Sequence, residues 1–143
     1  MGKNFFRICL LIIVMAMWLH NYNTDAEFNI SAGDDYFIKG QYDSAITRYS
    51  KAIKADPQNA GTYFNRGSSY AAKGQHDLAI ADYTKAINID PKYKKAYVNR
   101  GVVYARKGKY DLALADLNKA LELDPQDNEI KVEREKVLRL LSR

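Results

Sequence analysis

Cysteine is almost missing from this chain: Cys9 stands alone in 143 residues. One thiol cannot close an intramolecular disulfide or build a thiolate metal site. The two histidines, His20 and His76, are far apart in sequence, so imidazole clusters are excluded too and no metal or other cofactor is expected. Charge of one sign is also scarce. The net charge is +5, and the basic residues alternate with acids such as Asp77, Asp82, Asp111 and Asp116. A nucleic-acid surface would gather Lys and Arg on one face, so nucleic acid is not an expected partner. Catalytic groupings are absent as well. No Ser, His and Asp set stands out, and Asp34-Asp35, adjacent on a helix, point apart. Gly101 to Lys109 has the wrong glycine spacing for a phosphate loop, and Tyr110 follows its lysine. The chain is read as a non-enzyme.

Long apolar runs are absent but for one. Ile8 to Leu19 is uncharged, with Lys3 and Arg7 ahead of it and the polar stretch His20 to Thr24 behind. A basic start, an apolar middle and a polar end make the pattern of a secretory signal. Thr24 and Ala26, small and two apart, suit cleavage after Ala26. Even Phe5 to Leu19 as a helix reaches only about 22 Å, against roughly 30 Å of hydrocarbon. Residues 1–25 are therefore expected to be a signal peptide or an N-terminal membrane anchor, with the remainder extracytoplasmic: secreted, periplasmic or tethered outside the cytoplasm.

What is present from residue 26 onward is a period of 34. Residues 26–59, 60–93 and 94–127 superimpose without a gap. Gly33, Gly67 and Gly101 coincide, as do Tyr36, Tyr70 and Tyr104, and Lys39-Gly40, Lys73-Gly74 and Lys107-Gly108. So do Ala45, Ala79 and Ala113, Lys51-Ala52, Lys85-Ala86 and Lys119-Ala120, and the closing Asp-Pro pairs at 56–57, 90–91 and 124–125. Each unit reads as two helices. Tyr63, Gly67 and Tyr70 recur at the spacing of one helix face, Gly74 ends that helix, and Leu78, Ala79, Tyr83, Ala86 and Ile87 restore the stripe until Pro91. Mid-helix Gly67 costs about 1 kcal/mol relative to Ala. Close approach of the partner helix at Ala79 is expected to offset it.

The period, the aromatics Tyr63 and Tyr97 four residues before a glycine, the repeated tyrosine, the two alanine positions and the closing proline resemble the tetratricopeptide repeat over residues 26 to 127. The resemblance implies an all-α fold, an α-solenoid of three helix-turn-helix repeats wound into a right-handed superhelix. Asn128 to Arg143, with Asp127 as N-cap and Ile130, Val137, Leu138 and Leu141 as its stripe, is expected to be a capping helix. Arg66 and Arg100 stand where the family often has Leu, and their alkyl stems are expected along the core.

Stacked repeats of this kind line a concave groove with their first helices. The stripe beside the core one then faces the groove: Phe64, Asn65 and Ser68 in the second repeat, Lys95, Val98, Asn99 and Val102 in the third, and Ile30, Asp34, Phe37 and Ile38 in the first. Asn65 and Asn99 offer a donor and an acceptor to a peptide backbone. Phe64 and Val98 read equally well as filling between adjacent repeats. Some cytosolic members of the family clamp chaperone C-terminal carboxylates with two Lys, two Asn and an Arg. Asn65 and Lys95 match that pattern, whereas Ile30, Asp34 and Asn99 occupy the other three places and do not. The function expected is an exported adaptor that holds a peptide or helical segment of another protein in its groove. The alternative is a self-assembling or membrane-tethered structural subunit of an envelope complex, the oligomeric state being open.

Overall fold

Three glycines and three prolines punctuate the chain. Gly40, Gly74 and Gly108 adopt φ of 72°, 74° and 71°, a left-handed conformation that glycine enters without the Cβ clash of other residues. Each closes a helix with two backbone bonds. At the middle one, Gln75 N–H reaches the Tyr70 carbonyl at 2.9 Å and Gly74 N–H that of Ala71 at 3.0 Å. Gln41 and Lys109 reach Tyr36 and Tyr104 in the same way, each at 2.9 Å. At the other end of each repeat the aspartate before proline turns the chain: Asp56, Asp90 and Asp124 accept from the backbone N–H of Gln58, Lys92 and Gln126.

The structure, a computed structural model, describes residues 2–142, with side chains described for 7–17 and 24–142. Seven helices and no strand occur among them: α1 Gly2–Ile38, α2 Tyr42–Ala55, α3 Ala60–Ala72, α4 His76–Ile89, α5 Lys94–Arg106, α6 Tyr110–Leu123 and α7 Asn128–Leu141. Consecutive helices pack in antiparallel pairs, and α1, α3, α5 and α7 also touch in series. The result is an α-solenoid of three helical pairs closed by α7. Asp127 caps α7 by accepting from Glu129 and Ile130 N–H at 3.1 and 3.2 Å, as expected.

The core follows the repeated small residues. Ala45, Ala79 and Ala113 are fully buried, and Tyr49, Tyr83 and Leu117 lie beside them. The expected contact at Gly67 is corrected in detail. A Cβ there would lie 3.0 Å from the Tyr83 ring and 3.2 Å from Asp82 Cβ, so it is these residues that require glycine. In the third repeat the backbone does approach: a Cβ on Gly101 would sit 3.2 Å from the Ala113 carbonyl oxygen.

Helix α1 is longer than the sequence implied. It runs unbroken from Gly2 through the polar stretch to Ile38, because residues 18–32 contain no glycine or proline to stop it. Among its described side chains the first buried one is Ala26, 3% exposed, whereas Ile8 and Leu10 to Val14 are each more than half exposed. Residues 1–6 and 18–23 of the expected leader, Lys3, Phe5 and Leu19 among them, lie outside the described side chains.

Candidate functional site

The odd-numbered helices form the concave face, and two cavities open along it. The first, about 360 Å³, lies between α1 and α3, with Phe37, Ile38 and Phe64 as walls and Asp34, Tyr49, Asn65 and Ser68 as its polar lining. The second, about 380 Å³, lies among α3, α5 and α7 and includes Lys95, Val98, Asn99, Val102 and the cap residues Glu129 and Glu133. Phe64 lines both. A smaller hollow of about 180 Å³ joins Ser68, Tyr83, Asn99, Val102 and Arg106. Of the residues expected in the groove, Phe64, Asn65, Ser68, Lys95, Val98, Asn99 and Val102, with Asp34, Phe37 and Ile38 of the first repeat, line one or more of these three hollows, and Ile30 lines none of the three.

Their surroundings differ from the expectation at several points. Phe64 serves both readings: it packs on Tyr83 and Tyr93 with ring centroids 5.7 and 5.2 Å away, yet lines the groove. Val98 likewise rests against the core cluster of α6 and α7 while lining the second cavity. Asn65 is already engaged on one side, donating from Nδ2 to Asp34 Oδ1 at 3.0 Å. Asp34 Oδ1 also accepts from the Tyr49 hydroxyl at 2.7 Å. Burial first, and then that bond and the charge of Asp34, push the Tyr49 phenol up, so it remains a neutral donor. Ser68 Oγ donates to the Phe64 carbonyl at 3.0 Å and accepts from the Tyr83 hydroxyl at 3.2 Å. Lys95 is exposed and makes no ion pair among the described residues. Its neighbour Lys94 differs: it is held by Asp124 at 2.7 Å and Asp127 at 2.9 Å, and those bonds raise its pKa.

Sequence reasoning missed three parts of this site. The Tyr49 hydroxyl reaches the groove from a second helix, and its pairing with Asp34 needs the register between α1 and α2. Glu129 and Glu133 reach it from the cap, where their i, i+4 spacing around Ile130 was the available signal. The polar ends of Arg66 and Arg100 are the third part. Each guanidinium forks onto an aspartate of its own repeat, Arg66 to Asp82 at 2.7 and 2.8 Å and Arg100 to Asp116 at 2.7 and 2.7 Å. Each also reaches back one repeat, to Ser50 Oγ at 3.0 Å and Thr84 Oγ1 at 2.8 Å. These arginines tie α3 to α4 and α2, and α5 to α6 and α4.

The family described as TPR repeat matches residues 33–74 and again 67–108, and the one described as Tetratricopeptide repeat matches 95–127. The chain is similar to the first TPR of Spaghetti (RPAP3) bound to the HSP90 peptide SRMEEVD, at 32% identity and a TM-score of 0.81, covering 84% of this chain and 95% of that one. It is similar to the second TPR domain of human RPAP3 in complex with the HSP70 peptide SGPTIEEVD, at 31% identity and a TM-score of 0.78, over 81% and 97% of the two chains. It is also 50% identical over 34 residues to Stress-induced-phosphoprotein 1 of Caenorhabditis elegans, a match that takes in 24% of this chain and 11% of that protein. The chain thus matches only about a tenth of the length of that curated relative.

These findings overturn the expected extracytoplasmic location. The solved structures that the chain resembles are TPR domains bound to HSP90 and HSP70 peptides, and among the described residues no helix is long and apolar enough to cross a membrane. The apolar run itself is helical, and its backbone continues into the first helix of the solenoid. From the periodic sequence, the stacked helical pairs and these matches together, the chain belongs to the tetratricopeptide repeat family.

Proposed function

We propose that this chain is a protein-interaction adaptor that holds an extended peptide or a short helical segment of another protein in its concave groove. The observation that carries this reading is the pair of neighbouring cavities along one face. They share Phe64, and together they gather apolar walls with a few convergent polar groups, the usual make-up of a recognition site. Asn65 Oδ1, Asn99 and Lys95 are placed to meet a peptide backbone or an acidic side chain, and Phe37, Phe64, Val98 and Val102 offer apolar contact. In this reading residues 26–59, 60–93 and 94–127 are the three repeats and 128–143 is the cap.

The neighbours bound to HSP90 and HSP70 peptides support the use of this face. They do not carry their ligand over unchanged. The carboxylate clamp implied by the family resemblance is matched here at Asn65 and Lys95, but Ile30, Asp34 and Asn99 replace the rest. The groove reading needs no chemical step, and nothing in the site calls for one.

The test is direct titration of the full chain with a library of capped octapeptides, read by fluorescence polarisation. The same titration is repeated with a variant carrying Asn65→Ala, Lys95→Glu and Asn99→Ala. Peptides that bind the natural chain should lose about tenfold or more in affinity to the variant, as expected when two or three direct hydrogen bonds or charge contacts are removed. Equal affinity of two equally helical proteins would move recognition to another face.

A further inference from the structure

Aspartates of the groove and of the repeat interior are treated differently by this fold. Asp82 and Asp116, each 6% exposed, are met by a forked arginine. Asp34 meets only neutral donors, the Tyr49 hydroxyl at 2.7 Å and Asn65 Nδ2 at 3.0 Å. Both bonds end on Oδ1 and neither on Oδ2. Among the described residues no ion pair involves Asp34, and no lysine, arginine or histidine lines its cavity. The local structure does not need an acid at this position. In the next repeat the corresponding residue is Ser68, and it satisfies the corresponding Tyr83 hydroxyl at 3.2 Å without any charge. One register further on, the residue is Val102 opposite Leu117. The carboxylate is therefore a feature of one pocket and not of the repeat.

From this juxtaposition we infer that the cavity between α1 and α3 is a specificity pocket for a basic side chain, a lysine or arginine of the bound partner, with Asp34 as its counter-ion. The inference rests on the groove reading above and deepens it. Long basic side chains have two demands, an apolar surface for the stem and an anion for the head. Phe37, Ile38 and Phe64 supply the first, and Asp34 at the polar side of about 360 Å³ supplies the second. Aromatic rings at Phe37 and Phe64 add the affinity of a π-face for a cation. The Asn65 amide and the Tyr49 hydroxyl already point at Oδ1, which holds the carboxylate in one orientation and leaves Oδ2 to the incoming donor. A ligand carboxylate in the same place would face an unneutralised negative charge.

The experiment uses the full chain and a positional library of octapeptides, N-acetylated and C-amidated so that terminal charges do not contribute. At each position lysine, arginine, norleucine and glutamate are compared. Norleucine keeps the lysine stem and removes its charge. The natural chain should favour lysine or arginine over norleucine by about tenfold at one position, the size expected of a charge-assisted hydrogen bond. Asp34→Asn keeps an acceptor for Tyr49 and Asn65, so it should fold alike yet lose that preference. Asp34→Glu should retain most of it, and Asp34→Lys should shift the preference to glutamate. A natural chain that binds library members with no basic preference, or an Asp34→Asn chain that keeps the preference intact, overturns the pocket while leaving the groove reading standing. A library with no binding member at all overturns both.

Discussion

Tyr49 shows how one residue serves structure and site together. It is 1% exposed, its ring fills the space beside Gly33, and its hydroxyl leads out to Asp34 in the groove. Burial and the neighbouring carboxylate hold its phenol above the usual value, and burial does the same at Tyr83. The consequence for pH has a definite sign. An unfolded tyrosine loses its proton near 10, while the folded one keeps it, so above that pH the unfolded state binds fewer protons. Stability conferred by the neutral phenol is complete below about pH 10 and is lost as pH climbs toward the folded value. Lys94, also raised, contributes in the same direction. Chemical denaturation should therefore show stability falling steeply above about pH 10. Tyr49→Phe should cost about 1 kcal/mol at neutral pH, for the lost hydrogen bond, and should make the alkaline fall visibly shallower. An unchanged alkaline slope would mean that Tyr49 titrates in the folded state as freely as in the unfolded one.

Between elements, the repeat period made some features legible and hid others. Helix ends could be read directly, because Gly40, Gly74 and Gly108 and the three Asp-Pro pairs mark backbone conformations that few other residues adopt. The groove stripe followed too, since helical geometry fixes which residues lie beside Tyr63, Gly67 and Tyr70. The extent of α1 was not legible, because the composition of an apolar run bounded by basic and polar residues does not show whether its helix stops or continues into the first repeat. Arg66 and Arg100 were read as stems on the core because their partners lie 16 residues away on other helices, a relation that no single helix period displays. Those pairs fasten α3 to α4 and α2, and α5 to α6 and α4. The Asp82 side chain is 8% exposed and that of Arg66 is 20% exposed, so removing the arginine leaves a mostly buried carboxylate unpaired. Urea denaturation of Arg66→Ala should show a loss of about 2–4 kcal/mol, tempered by the partial exposure of the pair. Arg66→Leu combined with Asp82→Leu should recover much of it, because two apolar residues leave no charge stranded. A double variant as unstable as the single one would place the cost instead in the lost Ser50 bond and in the lost contacts of the guanidinium with the Tyr63 and Tyr70 rings, 5.7 and 5.9 Å from their centroids.

At the scale of the whole molecule the solenoid is a one-dimensional stack, and its two ends are finished differently. The C-terminal end is sealed by α7, whose Ile130 and Val137 are 3% and 1% exposed against Ala113, Leu117 and Ala120. The N-terminal end carries the long α1, whose first buried residue among the described side chains is Ala26. In such arrays each unit contacts its neighbours alone, so stability is a sum of local terms and melting can begin at whichever end is loosened. Replacing Ile130 and Val137 together by alanine removes the two largest apolar contacts of the cap and should cost about 3–6 kcal/mol. Because α7 touches α5 and α6 but not the first two repeats, the loss should be local. Amide hydrogen exchange should then show protection falling in α5, α6 and α7 while α2 and α3 keep most of theirs. The second cavity, bounded by α5 and α7, would open with them, whereas the Asp34 pocket between α1 and α3 would persist. Peptides anchored at Asp34 should accordingly lose less affinity than those anchored at Lys95 and Asn99. Uniform loss of protection along the chain would instead mean that the three repeats melt as one cooperative unit, with the arginine ties strong enough to carry a defect from one end to the other.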